Sequence, residues 1–251
     1  MIHFVGAGPG AVDLITVRGK ELVENADVII YAGSLVNPEL LYYKKEGCII
    51  YNSALMTLEE VLEVMYQSEK KGQDVVRLHT GDPCLYGAIR EQMDALDSKK
   101  IAYDSCPGVS SFSGAASALN LEYTLPAVSQ SVVITRMAGR TPVPAKENIA
   151  SFAAHQATMV IFLSTGMLEE LSRELIKGGY KADTPAAIVY KATWEDEKSF
   201  ICTVGTLFEI AAKNNIKKTS LIIVGDVVTH GDYSRSELYN PLFATEYRKV
   251  K

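Results

Sequence analysis

The stretch Arg77-Leu-His-Thr-Gly-Asp-Pro-Cys-Leu-Tyr-Gly87 constrains this chain more than any other. The run Val75-Val-Arg-Leu78 reads as a buried strand, and it delivers Thr80-Gly-Asp-Pro83 to a sharp turn before Ile89–Met93, which has helical character. Glycine permits a backbone that other residues resist, aspartate accepts hydrogen bonds, and proline fixes φ and lacks an N–H. At the carboxyl end of a parallel strand, such a turn is where α/β proteins hold ligands. Taken alone, it reads equally as a tight strand-to-helix connection.

The flanking sequence extends the pattern. Ile2–Val5 predicts a strand, with Asp13 as the cap of the helix after it, and Val28–Tyr31 predicts a second strand. Thr57-Leu-Glu-Glu60 spells a capping box, and Leu58, Val61, Leu62 and Met65 then recur at i, i+3, i+4 and i+7. Asp74–Leu78 and a short strand at Ile101–Tyr103 continue the series, followed by a small-residue helix over 111–118. Alternating strands and helices imply a parallel sheet with helices outside it. After Pro126 a second series begins. Its strands are expected at Ser131–Thr135, Thr158–Leu163, Ala186–Tyr190, Ser199–Thr203 and Ser220–Gly225. A helix over Gly166–Lys177 carries Leu168, Leu171 and Leu175 on one face, and Thr206-Leu-Phe-Glu209 reads as a second capping box. The fold class expected is α/β, with two α/β domains, a ligand cleft between them and a mostly parallel first sheet. The domains are drawn at 1–120 and 121–240, with a tail at 241–251.

Composition excludes several functions. A net charge of −5 is a poor match to nucleic acid, which wants a basic field. No apolar stretch reaches the roughly 18 residues that a membrane span needs, and the start lacks the basic-then-apolar pattern of a secretory leader. Cysteines 48, 84, 106 and 202 are isolated, which argues against a zinc site and fits reduced thiols in a cytoplasm. Histidines 3, 79, 155 and 230 show no ligand spacing, so no protein-bound metal is expected.

Two further turns are rich in glycine: Phe4-Val-Gly-Ala-Gly-Pro-Gly10, after the first strand, and Cys106-Pro-Gly-Val-Ser-Ser111. The first is not a dinucleotide fingerprint. Its third glycine comes too early, Pro9 removes a donor, and Ala32-Gly33 stands where an acidic residue should end the second strand. Together with Thr80–Leu85, Tyr31-Ala-Gly-Ser-Leu-Val36 and Tyr190-Lys-Ala-Thr-Trp194, these motifs resemble, in order and over most of the chain, the tetrapyrrole (corrin/porphyrin) methyltransferase family. The Ala-Gly-Ser form, with Asn52-Ser-Ala54, His79-Thr80 and Thr141-Pro-Val-Pro144, is similar to the branch that methylates carbon 11 of precorrin-4. A sibling acting at another tetrapyrrole carbon is the alternative.

The resemblance implies the tetrapyrrole methylase fold rather than a Rossmann methyltransferase. It implies S-adenosylmethionine as methyl donor, S-adenosylhomocysteine as product, and a homodimer. It implies an acceptor that is a ring-contracted tetrapyrrole bearing acetates and propionates, with or without cobalt. Carried over residue by residue, it assigns donor binding to Pro9, Gly81, Asp82, Leu85, Ser110, Ser111, Leu163 and Ala192. Each keeps a structural alternative: Asp82 as a turn stabiliser, Ser110 and Ser111 as helix caps, Leu163 as strand core. Uroporphyrinogen methyltransferases carry an acidic residue and an arginine after the second strand. Here Ala32-Gly33 follows Tyr31, so that acid/base role does not transfer and no catalytic residue is assigned. His79 either orients the donor turn or is a satisfied buried histidine; Trp194 either walls the ligand or fills core. For the acceptor's carboxylates, arginine forks are the matching group. The segment Thr135–Lys146 holds Arg136, Arg140 and Lys146 with no acidic residue, and it reads either as a carboxylate-binding loop or as a basic surface loop.

Overall fold

The computed structural model describes residues 1–229, 231 and 233–250, and the chain divides into two compact units. One comprises Met1–Gly114 with Lys191–Asp196, the other Ala115–Tyr190 with Glu197–Lys251. Of the histidines, His230 lies outside the described residues.

The first unit runs β1 (Ile2–Gly6), α1 (Val17–Asn25), β2 (Val28–Tyr31), β3 (Ile49–Asn52), α2 (Leu58–Lys70), β4 (Val75–His79), α3 (Arg90–Ser98), β5 (Tyr103–Cys106) and the start of α4 (Ser111–Ala118). Its five strands lie in the order β3-β2-β4-β1-β5, with every pair parallel. Strand side chains alternate between two buried layers. Ile2, Phe4, Val28, Ile30 and Val75 meet Val61, Leu62 and Met65 of α2 and Leu96 of α3. Val5, Ile29, Val76 and Leu78 meet Val23 of α1 and Leu40 on the opposite face. A sheet covered on both faces needs apolar residues at successive positions, which is why these strands read as unbroken apolar runs.

Two boundaries differ from expectation, each for a local reason. Asp13 lies in a 3-10 turn, and α1 is capped instead by Thr16, whose hydroxyl accepts from Gly19 N at 3.0 Å while its own backbone stays extended. The last strand of this sheet is Tyr103–Cys106 rather than 101–103. Lys100 turns left-handed at φ 58° and Ile101 N bonds back to Leu96 O at 3.1 Å, so Ile101 closes α3 and pairing starts two residues later. The short edge strand β3 carried no signal of its own. The capping box at Thr57 is present in both directions: Glu60 N donates to the Thr57 hydroxyl at 3.3 Å and Thr57 N to the Glu60 carboxylate at 2.7 Å.

The second unit continues with β6 (Val132–Arg136), α5 (Ile149–Ala153), β7 (Thr158–Phe162), α6 (Leu168–Lys177), β8 (Pro185–Tyr190), β9 (Lys198–Thr203), α7 (Leu207–Lys213) and β10 (Ser220–Val224). Its sheet has the order β6-β7-β10-β8-β9; only β6 and β7 run parallel, and the other pairs are antiparallel. Leu168, Leu171 and Leu175 form the α6 stripe and pack with Met159, Ile161, Ile188 and Ile222. The second capping box is shifted. Thr203 and Thr206 cap a 3-10 turn between them, with Thr203 N donating to the Thr206 hydroxyl at 3.0 Å, so Thr206 faces backwards and Glu209 takes no part.

Candidate donor site

In the first unit, α1 covers one face of the sheet and α3 the other. The adjacent strands β1 and β4 therefore send their connections to opposite faces. The crevice that opens between such neighbours at their carboxyl ends is the usual ligand position in an open α/β sheet. The loops there are Gly6–Gly10 and Thr80–Gly87, and the structure bonds them directly: Gly81 N donates to Gly8 O at 2.8 Å and Gly8 N to Gly81 O at 3.3 Å.

The third turn joins them. A Cβ on Gly6 would lie 2.5 Å from Gly108 Cα, and one on Gly108 would lie 2.2 Å from Gly81 O. Those two glycines are required by backbone-to-backbone contact. Gly81 is required by its φ of 60°. Asp82 completes the knot, with one carboxylate oxygen accepting from Cys84 N at 2.8 Å and the other from Gly108 N at 2.9 Å. Burial raises the Asp82 carboxyl, but these bonds outweigh it and hold the group below its ordinary value. The turn-stabilising role weighed for Asp82 is therefore present in the fold, as the tie between the second and third glycine turns.

Around this knot the other assigned residues of the unit take definite places. Ser110 is buried, its carbonyl accepts from Ser113 and Gly114, and Ser111 opens α4. Leu85 N closes on Asp82 O at 3.2 Å. Ala192 is buried and stands between Lys191 at φ 47° and Thr193 at φ 69°. Pro9 O accepts from the Trp194 indole at 3.1 Å, and Gly10 O from the Asn37 amide at 2.9 Å. The two short motifs Tyr31–Val36 and Asn52–Ala54 also meet. The Asn52 amide lies where a Gly33 side chain would go, 2.2 Å from the Cβ position, and the Ser53 hydroxyl donates to Tyr31 O at 3.1 Å.

Beneath the Thr80–Gly87 turn lies a polar group of residues of which the sequence marked only part. Arg77 is buried in the α2–α3 layer, donating to Gln92 Oε1 at 3.2 Å and to Ile30 O at 3.1 Å, and Gln92 donates onward to Ala88 O at 2.9 Å. Next on the same face, His79 stacks on Phe4 at 6.3 Å and leaves its Nε2 buried without a partner. Burial, reinforced by the Arg77 charge, lowers its pKa to about 3, so the imidazole is neutral. The arginine and histidine interrupting an otherwise apolar strand were the sequence signal for this network. Gln92 had none.

In the second unit, Leu163 is not strand core. It follows the end of β7 in the left-handed region at φ 53° and is 63% exposed. A bulky apolar residue in that conformation is a genuine outlier, of the kind that gathers at ligand sites. Beside it, Met137 N donates to the buried Ser164 hydroxyl at 2.9 Å, which ties the start of the basic segment to the residue after Leu163. That segment divides in two. Arg136 donates from one terminal nitrogen to Met137 O at 3.1 Å and Thr141 O at 3.2 Å, and from the other to Pro142 O at 2.8 Å. Its guanidinium shapes the loop. Arg140 and Lys146 are exposed. Among the described residues no group of three His, Cys, Asp or Glu is placed to hold a metal, and no helix is long and apolar enough to cross a membrane.

A parallel sheet whose carboxyl edge is closed by three interlocked glycine turns defines an α/β protein built to hold a small ligand against backbone. Residues 1–207 match the family model of the tetrapyrrole (corrin/porphyrin) methylases. A cobalt-precorrin-4 C(11)-methyltransferase of Methanocaldococcus jannaschii is 53% identical, covering 99% of this chain and 96% of that protein. A precorrin-4 C(11)-methyltransferase of a Sinorhizobium species is 44% identical, covering 98% of each. The X-ray structure of a cobalt precorrin-4 methyltransferase matches with a TM-score of 0.89 at 42% identity, over 90% of this chain and 95% of that one. This chain belongs to the tetrapyrrole methylase family.

Proposed function

We propose that this chain transfers a methyl group from S-adenosylmethionine to carbon 11 of precorrin-4 or its cobalt form, a C-methylation in cobalamin biosynthesis. The observation that carries the reading is near-complete coverage of both chains at 53% identity with a relative so named. The knotted turns supply the physical fit. A zwitterionic amino-acid tail and a ribose diol need close approach to backbone with little side-chain bulk, which the turns carrying Gly6, Gly8, Gly81 and Gly108 allow.

The bound donor supplies an electrophilic methyl on a sulfonium. What the chain contributes is position and exclusion of water, which can supply much of the acceleration for an in-line displacement. Pro9, Gly81, Asp82, Leu85, Ser110, Ser111 and Ala192 are assigned to the donor, with Asp82 acting through the turn it ties. Leu163 of the second unit is assigned to the adenine, on the support of its exposure and its left-handed backbone. Arg140 and Lys146 are assigned to the acceptor's carboxylates, and Arg136 to the shape of the loop that carries them. The protein acts as a cytoplasmic homodimer in this reading. Incubation with isotopically labelled donor and either precorrin-4 or cobalt-precorrin-4 tests it: the product gains one methyl mass, and NMR places the label on carbon 11. A label at another ring carbon, or none with both acceptors, rejects the assignment.

A further inference from the structure

The connection between β8 and β9, Lys191–Asp196, belongs with the first unit although both strands belong to the second. It holds the chain's one tryptophan, and three contacts fasten it to the first glycine turn. The Trp194 indole N–H donates to Pro9 O at 3.1 Å. Ala11 N donates to the Thr193 hydroxyl at 3.0 Å. The indole also occupies the space beside Gly10, where a Cβ would stand 2.2 Å from its Cδ1. Within the connection, Trp194 N bonds back to Lys191 O at 3.0 Å, and the Lys191 ammonium lies 5.5 Å over the indole ring and 2.7 Å from Asp196. Lys191 and Thr193 both take left-handed backbone, at φ 47° and 69°. For β-branched Thr193 that conformation is costly, and it persists only where surrounding contacts over-determine it.

From this arrangement we infer that Thr193 and Trp194 are positioning residues for donor binding: they latch the Pro9–Ala11 backbone and so set the mouth of the glycine-turn knot. The inference rests on the donor reading of that knot. The opposing polar groups explain why a latch is needed. Pro9 has no N–H of its own to anchor it, and Pro9 O, Gly10 O and Ala11 N find their partners in Trp194, Asn37 and Thr193. Without the two residues from the latch, Pro9 O and Ala11 N would be left to water and the turn free to drift. Binding a ligand at backbone distance then carries an ordering cost that the latched protein has already met.

Calorimetric titration of the full chain with S-adenosylhomocysteine tests this, with melting curves run in parallel. If the wild type fails to bind, the donor reading itself fails. With the wild type binding, Trp194→Ala and Gly10→Ala should each weaken affinity tenfold or more at an unchanged melting midpoint. The double variant should be no weaker than the poorer single, because both changes act on one contact and couple non-additively. Trp194→Phe keeps an aromatic ring but loses the N–H, and Thr193→Val replaces the hydroxyl with a methyl of similar size. Both should fall between wild type and Trp194→Ala, and they decide the matter should the alanine variants melt low. Trp194 emission, the only indole signal in the chain, should shift on titration with the same midpoint as the heat. Unchanged affinity in Trp194→Phe and Thr193→Val, additive losses in the double variant, or emission indifferent to the ligand would each overturn the latch.

Discussion

Asp82 shows how much one carboxylate can hold. Its oxygens take the N–H groups of Cys84 and Gly108, one on each of two turns that carry the donor assignments. Alanine at this position leaves both donors unsatisfied in a half-buried place, a loss of roughly 1–3 kcal/mol. Asp82→Ala should therefore lower both the melting midpoint and the affinity for S-adenosylhomocysteine. A variant that melts lower yet binds as well as wild type would confine Asp82 to the fold. His79 makes a different test, because its pKa of about 3 lies below the ordinary 6.5. The unfolded chain then binds a proton that the folded chain refuses, so stability is complete above pH 6.5 and drains as the pH falls toward 3. Between pH 7 and 4 the linked loss is about 3 kcal/mol. His79→Gln, neutral throughout, should close that much of the gap to wild type on acidification. Parallel stability curves for the two proteins across that range would contradict a buried neutral imidazole.

At the scale of elements, the basic segment following β6 is the clearest case of a role divided within one motif. Composition alone treats Arg136, Arg140 and Lys146 as equivalent cations. Folding separates them, because a β6 carboxyl end that turns through Gly139 and two prolines leaves the carbonyls of Met137, Thr141 and Pro142 converging on Arg136. Arg136→Ala should cost stability, about 1–3 kcal/mol for bonds from a charged group, and raise the tetrapyrrole KM through a disordered loop. Arg140→Ala should raise that KM with no change in melting. Equal melting losses in both variants would erase the distinction. The same contrast explains what was legible in the sequence. Strand runs, the α2 capping box and the α6 leucine stripe are local patterns and were readable. The Thr16 cap, the strand at 103–106 and the Thr203–Thr206 pair were not, because each depends on which of two adjacent polar groups the chain's path brings to a free N–H. The Arg77–Gln92–Ala88 chain joins a strand to a helix and a loop, and only the fold puts them together.

For the whole molecule, the motifs announced the family because Gly6 and Gly108 are demanded by backbone contact and Gly81 by its left-handed φ, and such demands leave a spaced record in the sequence. Charge is the property that only the entire chain defines, and it poses the last question. A protein of net charge −5 has to attract an acceptor bearing several carboxylates. Its own field repels such a molecule, so capture depends on cations near the ligand outweighing a diffuse acidic background. These two contributions respond differently to salt. At ionic strength of 0.15 M the screening length is about 8 Å, which suppresses the distant background more than a contact pair. Low salt should thus expose both terms and high salt leave mainly the short-range one. In the wild type the local attraction dominates, and the tetrapyrrole KM should rise as salt increases. In an Arg140→Ala, Lys146→Ala double variant the attraction is gone while the repulsion remains, so KM should start higher and fall with added salt. Affinity for S-adenosylhomocysteine, whose amino-acid tail is a zwitterion without net charge, should stay flat across the series in both proteins. A double variant whose KM keeps the wild-type sign of salt dependence would show that the carboxylates are held elsewhere.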